Sequence, residues 1–362
     1  MPAYNRTTIN IIDLPDFTKI PAGVPWVIDT MSLAHSLGIR NRTLMAMIIT
    51  RSKLYKRFVI PKKSGGKRTI HAPDRKLKFV QTRLLERFFS KIEYPEHISA
   101  YVPNRTTRHS AEKHSGKKIL IVIDLKDFFP STRRAWIRRA LQDQFCLPFE
   151  VASAIADLST IRVETPVGPR YVVPQGAPTS GAVCNWVAHH RIDQPILEEC
   201  KKWDVTYTRY ADDLAFSSNR VFTRQETNAF IRSICRLIKK GGYTVNRKKL
   251  RVARPGRHQR LLGMTVNEKP NVIRLHYRRL RARIHHCKYQ GFDSVAKEMG
   301  LQNGEQLKSQ IEGKISYYHM INPEKAAKLK QQLMEAELHH VTVLHHLPHD
   351  GISTDVSTPE KN

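Results

Sequence analysis

Apolar positions divide the chain into recognisable elements. Leu77, Val80, Leu84 and Phe88 recur at helical spacing and predict a helix over 77–89. "KILIVIDL" (118–125) is an unbroken apolar run ending in a carboxylate, the strongest buried-strand signal present. "VIPKKSGGKRTIHAP" (59–73) predicts a hairpin around Gly65-Gly66 with basic residues on both sides. Residues 29–58 predict short helices, with Ser32 and Asn41 as N-caps. Helical patterns follow over 132–160 and, as one long element, over 180–200. "TYTRYADDLAFSS" (206–218) alternates around two adjacent carboxylates, predicting a hairpin with Asp212 and Asp213 at its tip. A helix is predicted from Thr223 to Lys240, stopping at Gly241-Gly242. In "HYRRLRARIHHCKY" (276–289), Tyr277, Leu280, Ile284 and Cys287 fall on one helical face and leave arginines on the other. "IEGKISYYHMINPEKAAKLKQQL" predicts two further helices, the second capped by Asn322 with Pro323 at its first position. No internal repeat is visible. Strands alternating with helices and then a basic helical end indicate an α+β core with a helical appendage.

Charge narrows the partner. The 362 residues carry 61 Lys/Arg against 32 Asp/Glu, a net charge of +29. From Arg247 to Lys288 there are 14 basic residues and one acidic, Glu268. Such a balance suits a polyanion, nucleic acid first and an anionic membrane surface second. No apolar run approaches the roughly 20 residues of a membrane span, and the N-terminal residues lack the charged and apolar regions of a secretory signal. Five scattered cysteines without a CxxC pair suggest reduced thiols and a cytoplasmic protein. The histidines of 338–350 have no ligand spacing and read as surface.

Candidate chemistry lies in three segments. An isolated Asp-Asp is usually a solvated turn, and Asp124 alone would be a strand cap. Together, a strand-terminal carboxylate and an acidic hairpin tip match the needs of two-metal phosphoryl transfer. Two Mg²⁺ ions about 4 Å apart are held by shared carboxylates and stabilise attacking and leaving oxygens together. Between these segments, "VVPQGAPTSGAVCNWVAHH" (172–190) is a tight Pro/Gly loop running into a helix, a place where backbone can approach a nucleotide or its template base.

The order of "IDLKDFFPS", "PQGAPTS" and "YADD" resembles motifs A, B and C of reverse transcriptases. "GGYTVNRKKL" resembles the next palm motif, "RLLGMTVN" the primer grip and "KRTIHAPDRKLKFVQ" the fingers motif holding the triphosphate, so the resemblance covers roughly 30–335. It implies a right-hand polymerase fold: an N-terminal helical extension (1–58), fingers (59–120), a palm with an antiparallel sheet (121–255, with a fingers insertion near 132–172), a helical RNA-binding thumb (256–345) and a disordered tail (346–362). Carried over by position, Asp124, Asp212 and Asp213 are the catalytic and metal-binding carboxylates, joined by the main-chain carbonyl of Leu125. Phe129 is the steric gate against a ribose 2′-OH, with Phe128 the next suspect. Gln175 and Gly176 contact nucleotide and template, Arg68 and Lys67 the triphosphate. Either Lys249 or Lys248 donates the proton to departing pyrophosphate. Tyr210 is either hairpin packing or a primer contact.

Among reverse transcriptases the chain is most similar to the bacterial retron type. "RHSAEKHSGKKILIVIDLKDFFPS" keeps Ala111 and His114 of an Asn-Ala-x-x-His signature, with Ser110 in place of Asn. "LLGMTVN" keeps Gly263 of Val-Thr-Gly, and Gly181 stands where proline is usual. The resemblance implies copying of a cognate structured non-coding RNA into RNA-linked single-stranded DNA (msDNA) from dNTPs, in antiphage defence beside an effector or toxin protein encoded nearby. RNA contacts are expected from Arg278, Arg279, Arg283 and His114. The alternatives are another bacterial reverse transcriptase, intron-encoded or CRISPR-associated, or a catalytically silent RNA-binding scaffold. The chain length argues against appended maturase or endonuclease domains, and the intact carboxylates argue against the scaffold.

Overall fold

The computed structural model describes residues 22–62, 65–166 and 168–345; the expected tail and the start of the N-terminal extension lie outside them. The chain divides into two compact units, the first running to Leu262 with Val266–Glu268, the second formed by Gly263–Thr265 and the chain from Lys269. The expected thumb boundary at 256 thus falls a few residues before the division, inside the first unit.

The first unit opens with helices Thr30–Ser36 and Asn41–Thr50. Their caps differ from expectation. Asp29, not Ser32, is the first N-cap: its carboxylate accepts from the Ser32 amide (2.7 Å), while Ser32 Oγ accepts from the Asp29 amide (3.1 Å). Asn41 is already helical, behind Arg40. Strands β1 (Tyr55–Pro61) and β2 (Lys67–Pro73) then form the expected antiparallel hairpin. Helix Arg75–Arg87 follows, capped by Asp74, and buries Leu77, Val80 and Leu84.

The central sheet is built on β3 (Ile119–Lys126), whose first seven residues are all buried. After helices Arg134–Phe145 and Phe149–Leu158, a small hairpin joins β4 (Ile161–Val163) to β5 (Arg170–Val172). Next come β6 (Thr206–Tyr210), β7 (Asp213–Ser218), β8 (Thr244–Val245) and β9 (Arg251–Ala253). The order β6-β7-β3 covers one edge of β3, and β8 and β9 pair antiparallel along the other. The helix expected from Thr223 runs over Arg224–Lys240, with Thr223 as its N-cap, and buries Phe230, Ile234 and Ile238. The long helix expected over 180–200 is instead two, Ser180–Ala188 and Gln194–Trp203, joined by a π-helical turn at His189–Asp193. Pro195 follows after Gln194. Its missing N–H cannot bond back to the Arg191 carbonyl, so an unbroken α-helix is excluded there.

In the second unit, Met264–Thr265 pairs with Asn271–Val272, and helices Arg274–Gln290, Phe292–Glu298, Gly304–Ile321 and Pro323–His345 follow. Leu280, Ile284 and Cys287 are buried as the periodicity requires, with Tyr277 half-buried and Arg278 and Arg279 exposed. Asn322 accepts from the Lys325 amide (3.1 Å), the expected cap ahead of Pro323. No helix of the described residues is long and apolar enough to cross a membrane, and all five cysteines are free thiols.

Candidate active site

Register assembles the carboxylates. Pairing of β3 with β7 sets Asp124 directly opposite Asp213, and Asp213 also pairs with Tyr210 of β6. Asp212 sits in the two-residue turn, its carbonyl accepting from the Leu125 amide (2.9 Å). Asp213 is therefore the first residue of its strand and not part of the tip. Ala211, the other turn residue, has φ +56° where such turns favour glycine, so the surrounding structure holds the turn.

Burial and crowding act on these groups together. Desolvation first, then repulsion from Asp212 and Asp124, pushes the Asp213 carboxyl up to about 6. Asp212 is raised as well, by desolvation ahead of the Asp124 charge. Asp124 is buried and held from the far edge of the sheet: Asn246 Nδ2 donates to Oδ1 (3.0 Å) and Lys249 Nζ to Oδ2 (2.7 Å). That bond raises the Lys249 ammonium pKa. Lys249 rather than Lys248 thus reaches the carboxylates. Three desolvated hard-oxygen donors with one ammonium among them form a donor set suited to divalent cations. Asn246 carried no signal of its own in the sequence.

The expected substrate side chains collect nearby. A cavity of about 220 Å³ is lined by Lys67, Arg68, Asp127, Pro174 and Gln175, among others. Phe129 is half-buried, whereas Phe128 is buried with its ring 5.7 Å from Tyr243, which leaves Phe129 as the ring able to face a substrate. Gly176 has a reason internal to the protein. A Cβ there would lie 2.8 Å from the Ile70 side chain, and the Gln175 carbonyl accepts from the His71 amide (2.9 Å), locking the loop to β2.

His114 corrects the sequence reading. It is fully buried, with Nδ1 against Ser217 Oγ (2.7 Å) and Nε2 against Thr208 Oγ1 (2.8 Å), so neither ring nitrogen is free for RNA. Desolvation lowers its pKa to about 3. The Ser110 hydroxyl likewise turns inward, onto Ser99.

Arg209 was not singled out by sequence, yet it is buried beneath the hairpin. Its Nη2 donates to Asp193 Oδ2 (2.7 Å), Nε to both Asp193 oxygens (2.9 and 3.0 Å) and Nη1 to Asn185 Oδ1 (2.9 Å). Tyr207 donates to Asp193 as well (2.8 Å). His97, His189 and Asp193 bring ligand atoms within 4.8 Å of one another. The guanidinium already neutralises Asp193, so this group is an ion-pair network and not a second metal centre.

In the second unit, Arg278, Arg281, His285, Lys288 and Tyr289 line one side of a groove of about 450 Å³, with Gln332 and Glu335 opposite. Arg279 is exposed and Arg283 half-buried on the same helix.

Residues 60–266 match the reverse transcriptase (RNA-dependent DNA polymerase) family. The retron Mx65 reverse transcriptase of Myxococcus xanthus is 35% identical over 335 residues, 88% of this chain and 74% of that protein. The retron Mx162 reverse transcriptase of the same organism is 32% identical over 84% of this chain and 66% of that protein. The retron Ec86 reverse transcriptase of Escherichia coli is 27% identical over 73% of this chain and 79% of that protein. The family match spans the strands that carry Asp124, Asp212 and Asp213, and with these relatives it shows that this chain belongs to the retron-type reverse transcriptases, RNA-directed DNA polymerases.

Proposed function

We propose that this polymerase copies part of a cognate structured RNA into single-stranded DNA that stays joined to it, primed from an RNA 2′-OH. The observation carrying the reading is the register of β3 on β7, which gathers the Asp124, Asp212 and Asp213 carboxylates beside the Lys249 ammonium. Two Mg²⁺ ions would be held by these carboxylates and the Leu125 carbonyl, and would supply charge stabilisation at the reacting oxygens. Lys67 and Arg68 bind the triphosphate of the incoming dNTP, Arg by its planar fork. Gln175 and the Gly176 backbone position nucleotide and template, and Phe129 excludes the ribose 2′-OH. Lys249 donates a proton to departing pyrophosphate. Arg278, Arg279 and Arg283 hold RNA phosphates in a thumb formed by the second unit. Retron membership extends the reading to antiphage defence with an effector protein encoded nearby.

Expression with the native upstream sequence tests it. Purified protein should carry a short DNA that RNase reduces to a species with a small RNA stub, removable by debranching enzyme. An unbranched DNA would overturn priming at a 2′-OH, and the same DNA on the Asp212→Asn variant would mean capture without synthesis.

A further inference from the structure

Tyr101 is out of place by ordinary rules. It is a bulky aromatic in the left-handed backbone region (φ +54°), and 54% of it remains exposed. Such a residue persists only where its surroundings over-determine it. They do so here: Asn185 Nδ2 donates to the neighbouring Ala100 carbonyl, and the segment is stitched to β6 by Arg209 N to His97 O (2.7 Å) and Ser99 N to Arg209 O (3.1 Å). The ring covers Gly181, in the first turn of helix Ser180–Ala188. A Cβ at 181 would lie 2.4 Å from the Tyr101 ring, so only glycine leaves the ring where it is.

The ring faces Phe129, edge to face, with centroids 6.3 Å apart. Phe128 lies on Phe129 as well, at 5.6 Å. Phe129 thus packs against one buried ring and one exposed ring. The Tyr101 phenol is raised by desolvation and also feels the Asp212 carboxylate and the Arg68 guanidinium.

We propose that Tyr101 is a specificity-determining residue for the sugar of the incoming nucleotide, a wall that keeps Phe129 from swinging aside to admit a 2′-OH. The proposal rests on the reading of Phe129 as the gate. Gly181 is then part of the same device, kept small so that the wall can stand.

Single-nucleotide incorporation, with kcat and KM for each dNTP and its matching rNTP, is the test. Tyr101→Ala should relax discrimination against rNTP on the order of tenfold, within the range that one pocket contact governs, through the rNTP constants and with little change for dNTP. Tyr101→Phe should keep parental discrimination because the ring suffices. Gly181→Ala, which displaces the ring without touching Tyr101 chemically, should relax it in the same direction. A Tyr101→Ala/Phe129→Ala double variant should be no looser than Phe129→Ala alone, since both act through one ring. Parental discrimination in Tyr101→Ala beside a relaxed Phe129→Ala would overturn the role of Tyr101 and leave the gate standing. Parental discrimination in Phe129→Ala would overturn the gate and this inference with it. Additive effects in the double variant would overturn the buttress.

Discussion

At the residue scale, the site works against the fold that carries it. Asp213 titrates at about 6 in the metal-free protein, well above its ordinary 3.8, because it is desolvated and crowded by two other carboxylates. The folded state therefore binds more protons than the unfolded chain between those values, and stability falls as pH rises through that window. Asp213→Asn should raise the melting temperature at pH 7.5 in EDTA, with a stability gain of about 3 kcal/mol at most. That gain should disappear below pH about 4, where both states are protonated. Primer extension should be lost. Thermal unfolding across pH checks it; a variant less stable than the parent at pH 7.5 would contradict the crowding. The carboxylates themselves were legible in the sequence because an acidic pair interrupting strand formers is unusual. Asn246 and Tyr101 were not. An Asn after a short strand and a Tyr in a loop are ordinary until the fold sets one on Asp124 and the other on Phe129.

Among the elements, the two hairpins of 59–73 and 206–218, the strand over 118–125 and most helices followed from sequence pattern, whereas the two- and three-residue strands such as β4, β5, β8 and β9 are too short to show a period. The apolar pattern over 180–200 continues without a break, and Pro195 is the signal in it that a regular α-helix does not. Ser32 has the side chain of an N-cap, yet a reciprocal box places the true cap three residues upstream at Asp29. Arg209 shares the inward face of β6 with Tyr207, so the period of two was informative, but charge argued for solvent. Only its partner, sixteen residues earlier on the π-turn, makes burial affordable, and no spacing rule announces that. Asp193→Asn should cost about 3–5 kcal/mol, as removing one partner strands a buried charge. The pair Asp193→Leu with Arg209→Met should recover most of that loss. Denaturant unfolding of the three proteins decides, and a double variant no better than the single would show that the network does more than neutralise itself.

For the whole molecule, the net charge of +29 supplies affinity that any RNA could use. Under the proposed function, selectivity for one RNA has to come from shape and from unpaired bases. Replacing Arg278, Arg279 and Arg283 with Gln should weaken RNA binding and flatten its salt dependence by roughly 0.7 to 0.9 in slope for each lost phosphate contact. Filter binding across salt concentrations measures this, and equal slopes would show that this helix faces solvent. The two-unit division was legible only in part. The basic run from 247 crosses it without a break, since charge marks what a surface meets and not where a core ends.

The central strand β3 has a consequence for how the protein is made. Both of its edges are covered by strands that come later in the chain, β7 on one side and β8 and β9 on the other. At translation rates of roughly 5–20 residues per second, "ILIVIDL" waits several seconds for its first partner. During that interval it is an apolar stretch, with Asp124 as its one charge, of the kind that pairs with copies of itself. Lys117 and Lys118 before it and Lys126 at its end are the flanking charges that oppose such pairing. The strand that carries Asp124 is thus also a hazard of the nascent chain, guarded by three lysines until the ribosome has delivered Asp213.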